Sequence, residues 1–237
     1  MIQSTEIALD YDELVIIVGN YGSGKTEVSI NLAVDQKQLA KDVRLVDLDL
    51  VNPYFRSREA RNQLQGLGIH VVLPDEQYMT ADLPILSPTV AATIRQQNIL
   101  AILDVGGDGV GATVLSTLAD ALRKRTPRVL QVVNPFRPYT DTIEGCEMIR
   151  AEIEHSAKLK VNGLIGNANL MAETELSHIQ QGYEFMQKLS EQNGLPLEFI
   201  TAPDSLAQSG SRPQLICPIL YIKRQLVPPW MQAIDLT

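Results

Sequence analysis

The sequence predicts an α/β protein: a single-domain, doubly wound, mainly parallel sheet flanked by helices. Three observations predict it. Short runs of Val, Ile and Leu recur along the chain without polar alternation, which is the pattern of strands covered on both faces. Segments of helical periodicity lie between them. Turns rich in Gly, Asp or Asn follow several of the runs, so polar groups collect at strand ends, where open α/β sheets hold their ligands.

Taken in order, Leu14 to Val18 is the first strand, followed by a Gly-rich turn and a helix carrying Val28, Leu32 and Leu39. Val43 to Val46 leads into Asp47-Leu48-Asp49. Ile69 to Leu73 is a short strand stopped by Pro74, and Ile99 to Leu103 runs into Asp104-Val105-Gly106-Gly107. A helix with Val114, Leu115, Leu118, Ala121 and Leu122 precedes the strand Val129 to Val133, which ends at Asn134-Pro135. Ile143, Cys146, Ile149 and Ile153 share one helix face, as do Leu176, Ile179, Tyr183, Met186 and Leu189. Strands at Val161 to Ile165, Leu197 to Thr201 and Ile216 to Lys223 complete the series.

Composition narrows the function classes. The 237 residues carry 20 bases against 28 acids, a net charge of −8, with 45% hydrophobic and 20% charged residues. The chain can bury a large core, which excludes disorder as its main state. No run approaches the roughly 18 apolar residues of a membrane span. The start, Met1-Ile2-Gln3-Ser4-Thr5-Glu6, has no secretory pattern. Cys146 and Cys217 are far apart and suggest neither a disulfide framework nor a metal knot. A cytoplasmic location is expected. The acidic balance argues against nucleic acid as a partner.

The turn after the first strand reads Gly19-Asn20-Tyr21-Gly22-Ser23-Gly24-Lys25-Thr26. It fits G-x-x-x-x-G-K-[ST], the Walker A pattern, between a strand and a helix. Glycines let the backbone wrap phosphate oxygens with N–H groups turned inward, and the helix presents its positive end to the same anion. Lys25 is placed to reach the β- and γ-phosphates, and the Thr26 hydroxyl to bind Mg2+. Glu27, next in the chain, joins the candidate nucleotide contacts.

A nucleotide site of this kind needs carboxylates at neighbouring strand ends. Asp104 is the candidate metal carboxylate. Asp49 is the candidate that positions the attacking water and assists the metal. Asp104-Val105-Gly106-Gly107 reads D-x-x-G, so the Gly107 N–H is a candidate γ-phosphate donor. Capping of turns or helices is the competing role for such residues, and it is the expected one for Asp47 or Asp108. In the loop Gly166-Asn167-Ala168-Asn169-Leu170 a side-chain amide can read an adenine edge. The guanine pattern N/T-K-x-D is absent, so ATP is favoured over GTP. Pro203 and Asp204, after a later strand, are candidates for packing on the base; ordinary turn chemistry is the alternative for both loops.

With these motifs in place, most of the chain resembles the MinD/ParA-type P-loop ATPases, the group that includes cobyrinic-acid synthase ATPase domains. The resemblance implies Mg2+ and ATP as cofactors, slow hydrolysis, and often a nucleotide-dependent homodimer that drives a partner. One position departs. The family's loop begins with a signature lysine, and here Asn20 stands in its place, with Tyr21 replacing the first of the paired glycines. Another cation would have to serve; Arg56 and Arg58, after Asp49, are candidates for phosphate or partner contact.

His70, His155 and His178 are scattered without metal-ligand spacing, and both cysteines are expected to serve packing. The tail from about 226 contains Pro228 and Pro229, which break any amphipathic membrane helix, and Trp230 is expected to tie it down. The expected function is an ATP-dependent switch acting on an unidentified protein partner. The alternative is an ATP-dependent ligase resembling dethiobiotin or cobyrinate synthases, with a small carboxylate substrate near Tyr54, Arg56 or Arg58. A non-hydrolysing nucleotide sensor is the third reading.

Overall fold

The apolar runs fold as strands in register with one another. In the computed structural model, which describes residues 9–49, 61–73, 88–107, 109–209, 215–227 and 233–236, the strands are β1 (Leu14–Gly19), β2 (Val43–Leu48), β3 (His70–Val72), β4 (Leu100–Val105), β5 (Arg128–Val133), β6 (Gly163–Gly166), β7 (Leu197–Pro203) and β8 (Ile219–Ile222). Among the described residues they form one sheet in the order β3-β2-β4-β1-β5-β6-β7-β8. Every pairing is parallel. The strand order reverses about β1, which has β4 on one side and β5 on the other. Such a switch point opens a crevice at the carboxyl ends of the strands.

The register decides what meets there. Ile17 lies opposite Asp104 on β4, Asp47 of β2 also lies opposite Asp104, and Gly19 lies opposite Val132 on β5. The loop after Gly19, the segment after Leu48 and Gly106-Gly107 therefore leave the sheet side by side.

Helices cover both faces. They are α1 (Lys25–Gln38), α2 (Arg61–Gly66), α3 (Pro88–Arg95), α4 (Gly109–Thr117), α5 (Ala119–Arg123), α6 (Ile143–Ala157), α7 (Leu176–Asn193) and α8 (Asp204–Gln208). Alternation along β1 splits the core. Val15 and Ile17 pack with Val28, Ile30 and Leu32 of α1 and with Leu220, Ile222 and Leu236. Leu14, Ile16 and Val18 pack with Val90 and Ile94 of α3 and with Leu115, Leu118 and Leu122. Thr142 caps α6 by accepting from Gly145 N at 3.1 Å. Among the described residues no helix is long and apolar enough to cross a membrane.

Two expectations are corrected. Leu39 is not on the helix face: α1 ends at Gln38, and Leu39 is the exposed residue that closes it. The last strand begins at Ile219 rather than Ile216, which is 91% exposed. Pro218 has no N–H to give a ladder; its carbonyl accepts from Ile200 N at 3.1 Å, so pairing starts at the next residue. Cys146 is buried and Cys217 half-buried, both against apolar neighbours. Pro74, Tyr54, Arg56, Arg58, Asp108, Pro228, Pro229 and Trp230 lie outside the described residues.

Phe199 is fully buried between the layers. Phe199→Ala is expected to lower the unfolding free energy by about 3–5 kcal/mol in urea titration. A loss under about 1 kcal/mol would contradict the packing described here.

Candidate functional site

A cleft of about 840 Å³ opens over the carboxyl ends of the strands, within the size range of small-molecule and cofactor sites. Asn20, Tyr21, Gly22, Gly24, Lys25, Thr26 and Glu27 form one wall. Gly19 and Ser23 lie beneath that wall, Ser23 being fully buried.

The loop is held in shape from several sides. Gly24 has φ of +91°, and a Cβ there would lie 2.2 Å from Asn167 Nδ2. Both the backbone angle and the space thus require glycine. Asn167 is buried, donates from Nδ2 to the Ser23 carbonyl at 2.6 Å, and accepts at Oδ1 from Thr201 Oγ1 at 2.5 Å. One carboxamide thereby ties the loop to the ends of β6 and β7. Gly107 closes the other flank: a Cβ there would lie 2.6 Å from Lys25 Nζ and 2.8 Å from the Tyr21 backbone. The buried Lys25 ammonium donates to the Asn20 carbonyl at 2.9 Å.

Asp104 lies under this loop, almost fully buried. Ser29 Oγ donates to its Oδ1 at 3.3 Å, while Oδ2 has no hydrogen-bond partner among the described residues. Burial pushes its carboxyl up from 3.8 to about 6. The Thr26 hydrogen bond and the Lys25 charge oppose that rise, and the nearby Asp49 charge adds to it. An unpartnered buried carboxylate oxygen beside a threonine hydroxyl fits a hard divalent cation, which takes oxygen ligands. Asp49 lines the cleft, so both candidate carboxylates come to the loop. Asp47 is buried instead, and its Oδ1 accepts from Asp49 N at 3.1 Å, the turn-capping role expected of it.

The other candidates fall differently. Asn167 lines the cleft, with one amide N–H given to the loop and its oxygen bonded to Thr201. Asn169 also lines the cleft; its Oδ1 accepts from Met171 N at 2.6 Å, and its Nδ2 makes no hydrogen bond among the described residues. Pro203 lines the cleft beside Thr201 and Ala202. Asp204 does not: it starts α8, and its carboxylate accepts from Gln208 at 2.5 Å. Glu27 lines the cleft, and its carboxylate accepts from Gln225 N at 2.9 Å and Leu226 N at 2.6 Å. Burial raises its carboxyl, and those backbone donors pull it back. His178 caps α7, accepting from Glu175 N at 3.0 Å, with its ring edge-on to Phe136.

Several cleft residues carry no motif in the sequence. Asn134, Arg137, Pro138 and Tyr139 enter from the loop after β5, and Arg224 and Leu226 from the segment after β8. That segment is strapped to α1: Lys223 N donates to Asn31 Oδ1 at 2.8 Å, and the Gln225 amide bonds the Ile234 carbonyl at 2.6 Å. The turn Asn134-Pro135 after a strand was the one available signal for the β5 loop.

No family model matches the sequence, and no curated protein sequence matches it. Solved structures do. Cell division protein FtsY from Thermotoga maritima aligns at 19% identity with a TM-score of 0.54, over 83% of this chain and 64% of that one. FtsY from Mycoplasma mycoides aligns at 19% and 0.54, over 80% and 59%. The signal recognition particle 54 kDa protein from Aeropyrum pernix, solved in complex with GDP, aligns at 18% and 0.52, over 81% and 41%. The chain spans less than two thirds of the length of each. At these identities the likeness is one of fold. The chain has a P-loop nucleoside-triphosphatase α/β fold.

The raised Asp104 carboxyl has a stability consequence. A carboxyl raised on folding contributes stability that is fully present below pH of about 4 and lost as the pH climbs through about 6. In EDTA at pH 8, Asp104→Asn is expected to be more stable than wild type by on the order of 3 kcal/mol. At pH 4 the two should converge. Urea titrations at both pH values check this, and an Asn variant less stable than wild type at pH 8 would contradict it.

Proposed function

We propose that the chain is a Mg2+-dependent P-loop nucleoside triphosphatase of the MinD/ParA-like group. It acts as a nucleotide-dependent switch on a protein partner. The observation that carries this reading is the arrangement at one cleft: the Gly19–Thr26 loop forms a wall of it with the buried Lys25 ammonium, and the buried Asp104 carboxylate, with its unpartnered oxygen, lies beneath that loop. In this reading loop N–H groups cradle the phosphates, and Lys25 moves from the Asn20 carbonyl to the β- and γ-oxygens. The Thr26 hydroxyl and Asp104 hold the metal, with Asp49 beside it. Bound Mg2+ neutralises charge that builds on the β- and γ-phosphate oxygens. Asp49 orients the attacking water, and Gly107 N–H meets the terminal phosphate. Loss of that phosphate releases the segments after Asp49 and Gly107, the switch output. Residues 1–237 form one domain in this reading, with a C-terminal tail from about 226.

ATP is the favoured nucleotide. The loop after β6 does not carry the N/T-K-x-D pattern that reads a guanine, its Glu173 and Glu175 do not line the cleft, and Asn169 offers an amide there. The GDP complex of the Aeropyrum protein makes GTP the alternative.

A second reading, an ATP-dependent ligase acting on a small carboxylate, has one observation in its favour. A second cleft of about 270 Å³ lies on the far side of the loop, lined by Gly19, Asn20, Gly106, Gly107, Glu152 and Ser156. It would seat a substrate next to the terminal phosphate. Phosphate release that requires an added carboxylate would select this reading, and release stimulated by a protein would select the first.

Calorimetric titration with Mg-ATP and Mg-GTP tests the proposal. Wild type is expected to bind ATP more tightly than GTP, and Lys25→Ala to lose at least about tenfold in affinity. Equal binding by Lys25→Ala and wild type would overturn the site.

A further inference from the structure

We propose that Arg137 is the cation that takes the terminal phosphate of the bound nucleotide, filling the role that Asn20 leaves open. The inference rests on the nucleotide reading of the cleft and adds a residue that no motif marks. Among the described residues three cations line the cleft: Lys25, Arg137 and Arg224. Lys25 donates to the Asn20 carbonyl. Arg224 donates from Nε to the Leu226 carbonyl at 3.3 Å, and its charge acts on Glu27. Arg137 alone of the three makes no side-chain hydrogen bond and no ion pair among the described residues, and its Nε is buried without a partner. A buried guanidinium N–H without an acceptor is costly. A planar guanidinium matches phosphate oxygens with two parallel bonds. An anion in the cleft would satisfy it.

The backbone around Arg137 is built to hold it in place. The Asn134 carbonyl accepts from Arg137 N at 3.1 Å and from Thr140 Oγ1 at 2.8 Å. Asn134 Oδ1 accepts from Phe136 N at 3.0 Å, and its Nδ2 donates to the Asn169 carbonyl at 2.9 Å. These bonds fix the turn from 134 to 140 as a rigid arm. Tyr139, at φ of +69°, keeps a conformation that a non-glycine residue adopts at a cost. The arm meets the phosphate loop at one point. Asn20 Nδ2 donates to the Pro138 carbonyl at 3.4 Å, directly after Arg137. Asn20 is also the residue whose carbonyl holds the Lys25 ammonium, so the arm touches the end of the loop where the terminal phosphates belong.

The arrangement also accounts for Asn20. A lysine there would set a second positive charge beside Arg137 and lose the amide donor that binds Pro138. An asparagine joins the arm to the loop and leaves the charge to the arginine.

The test titrates wild type, Arg137→Ala and Arg137→Lys with Mg-ADP and with a non-hydrolysable Mg-ATP analogue, at low and high salt. Arg137→Ala is expected to lose about tenfold or more in affinity for the analogue and clearly less for ADP. Its analogue affinity should also become less salt-dependent. Arg137→Lys should recover part of the loss, since it restores charge without the fork. A purely structural role would weaken both nucleotides alike and leave the salt dependence unchanged, which would overturn the inference. So would wild-type affinity for the analogue in Arg137→Ala. Wild type that binds neither nucleotide would instead overturn the nucleotide reading itself.

Discussion

An open parallel sheet covered on both faces satisfies its backbone internally except along its two edge strands and at its strand ends. In this chain the register brings the ends of β1, β2 and β4 together beneath one loop, and the tension there is electrostatic. Asp104 is a carboxylate taken out of water beneath a lysine, with one oxygen unmatched. Burial of that kind costs stability in the free protein. It is tolerable where a cation and a phosphate chain arrive to share the charge. In the proposed reading, stability given up at Asp104 is the counterpart of affinity for a metal-bound polyphosphate.

The loop above Asp104 is fixed by its neighbours as well as by its own bonds, Ser23 N and Lys25 Nζ both donating to the Asn20 carbonyl. Asn167 reaches from the end of β6 to the Ser23 carbonyl and is itself held by Thr201 of β7. Gly107 fits against Lys25 and Tyr21 with no space for a Cβ. Glu27, in the first turn of α1, anchors the segment after β8. These contacts join the loop and its helix to β6 and β7, to the segment after β4 and to the segment after β8.

Much of this was legible in the sequence, and the reason is periodicity. Unbroken Val, Ile and Leu runs placed the strands, and the Walker pattern placed the loop with its lysine and threonine. Asp49 and Asp104 followed from the rule that chemistry collects at strand ends. What the sequence hid depends on contacts far apart along the chain. The sequence places Asn167 and Glu27 at the cleft, but not their bonds: Asn167 to Ser23 and Thr201, and Glu27 to Gln225 and Leu226. Arg137 lies in a loop with no motif, and the neighbouring Asn20–Pro138 contact joins residues 118 apart in the chain. Ile216 misled because an apolar run was counted through Pro218, which lacks the donor that a strand needs.

The central claim is that the cleft seats a metal-bound nucleoside triphosphate on the Gly19–Thr26 loop. A crystal structure with Mg2+ and a non-hydrolysable ATP analogue tests it most directly. The account predicts phosphate density within the loop, Lys25 drawn from Asn20 to the terminal phosphates, and the metal between Thr26 and Asp104. A loop left empty at saturating analogue, or phosphates bound elsewhere on the protein, would contradict it.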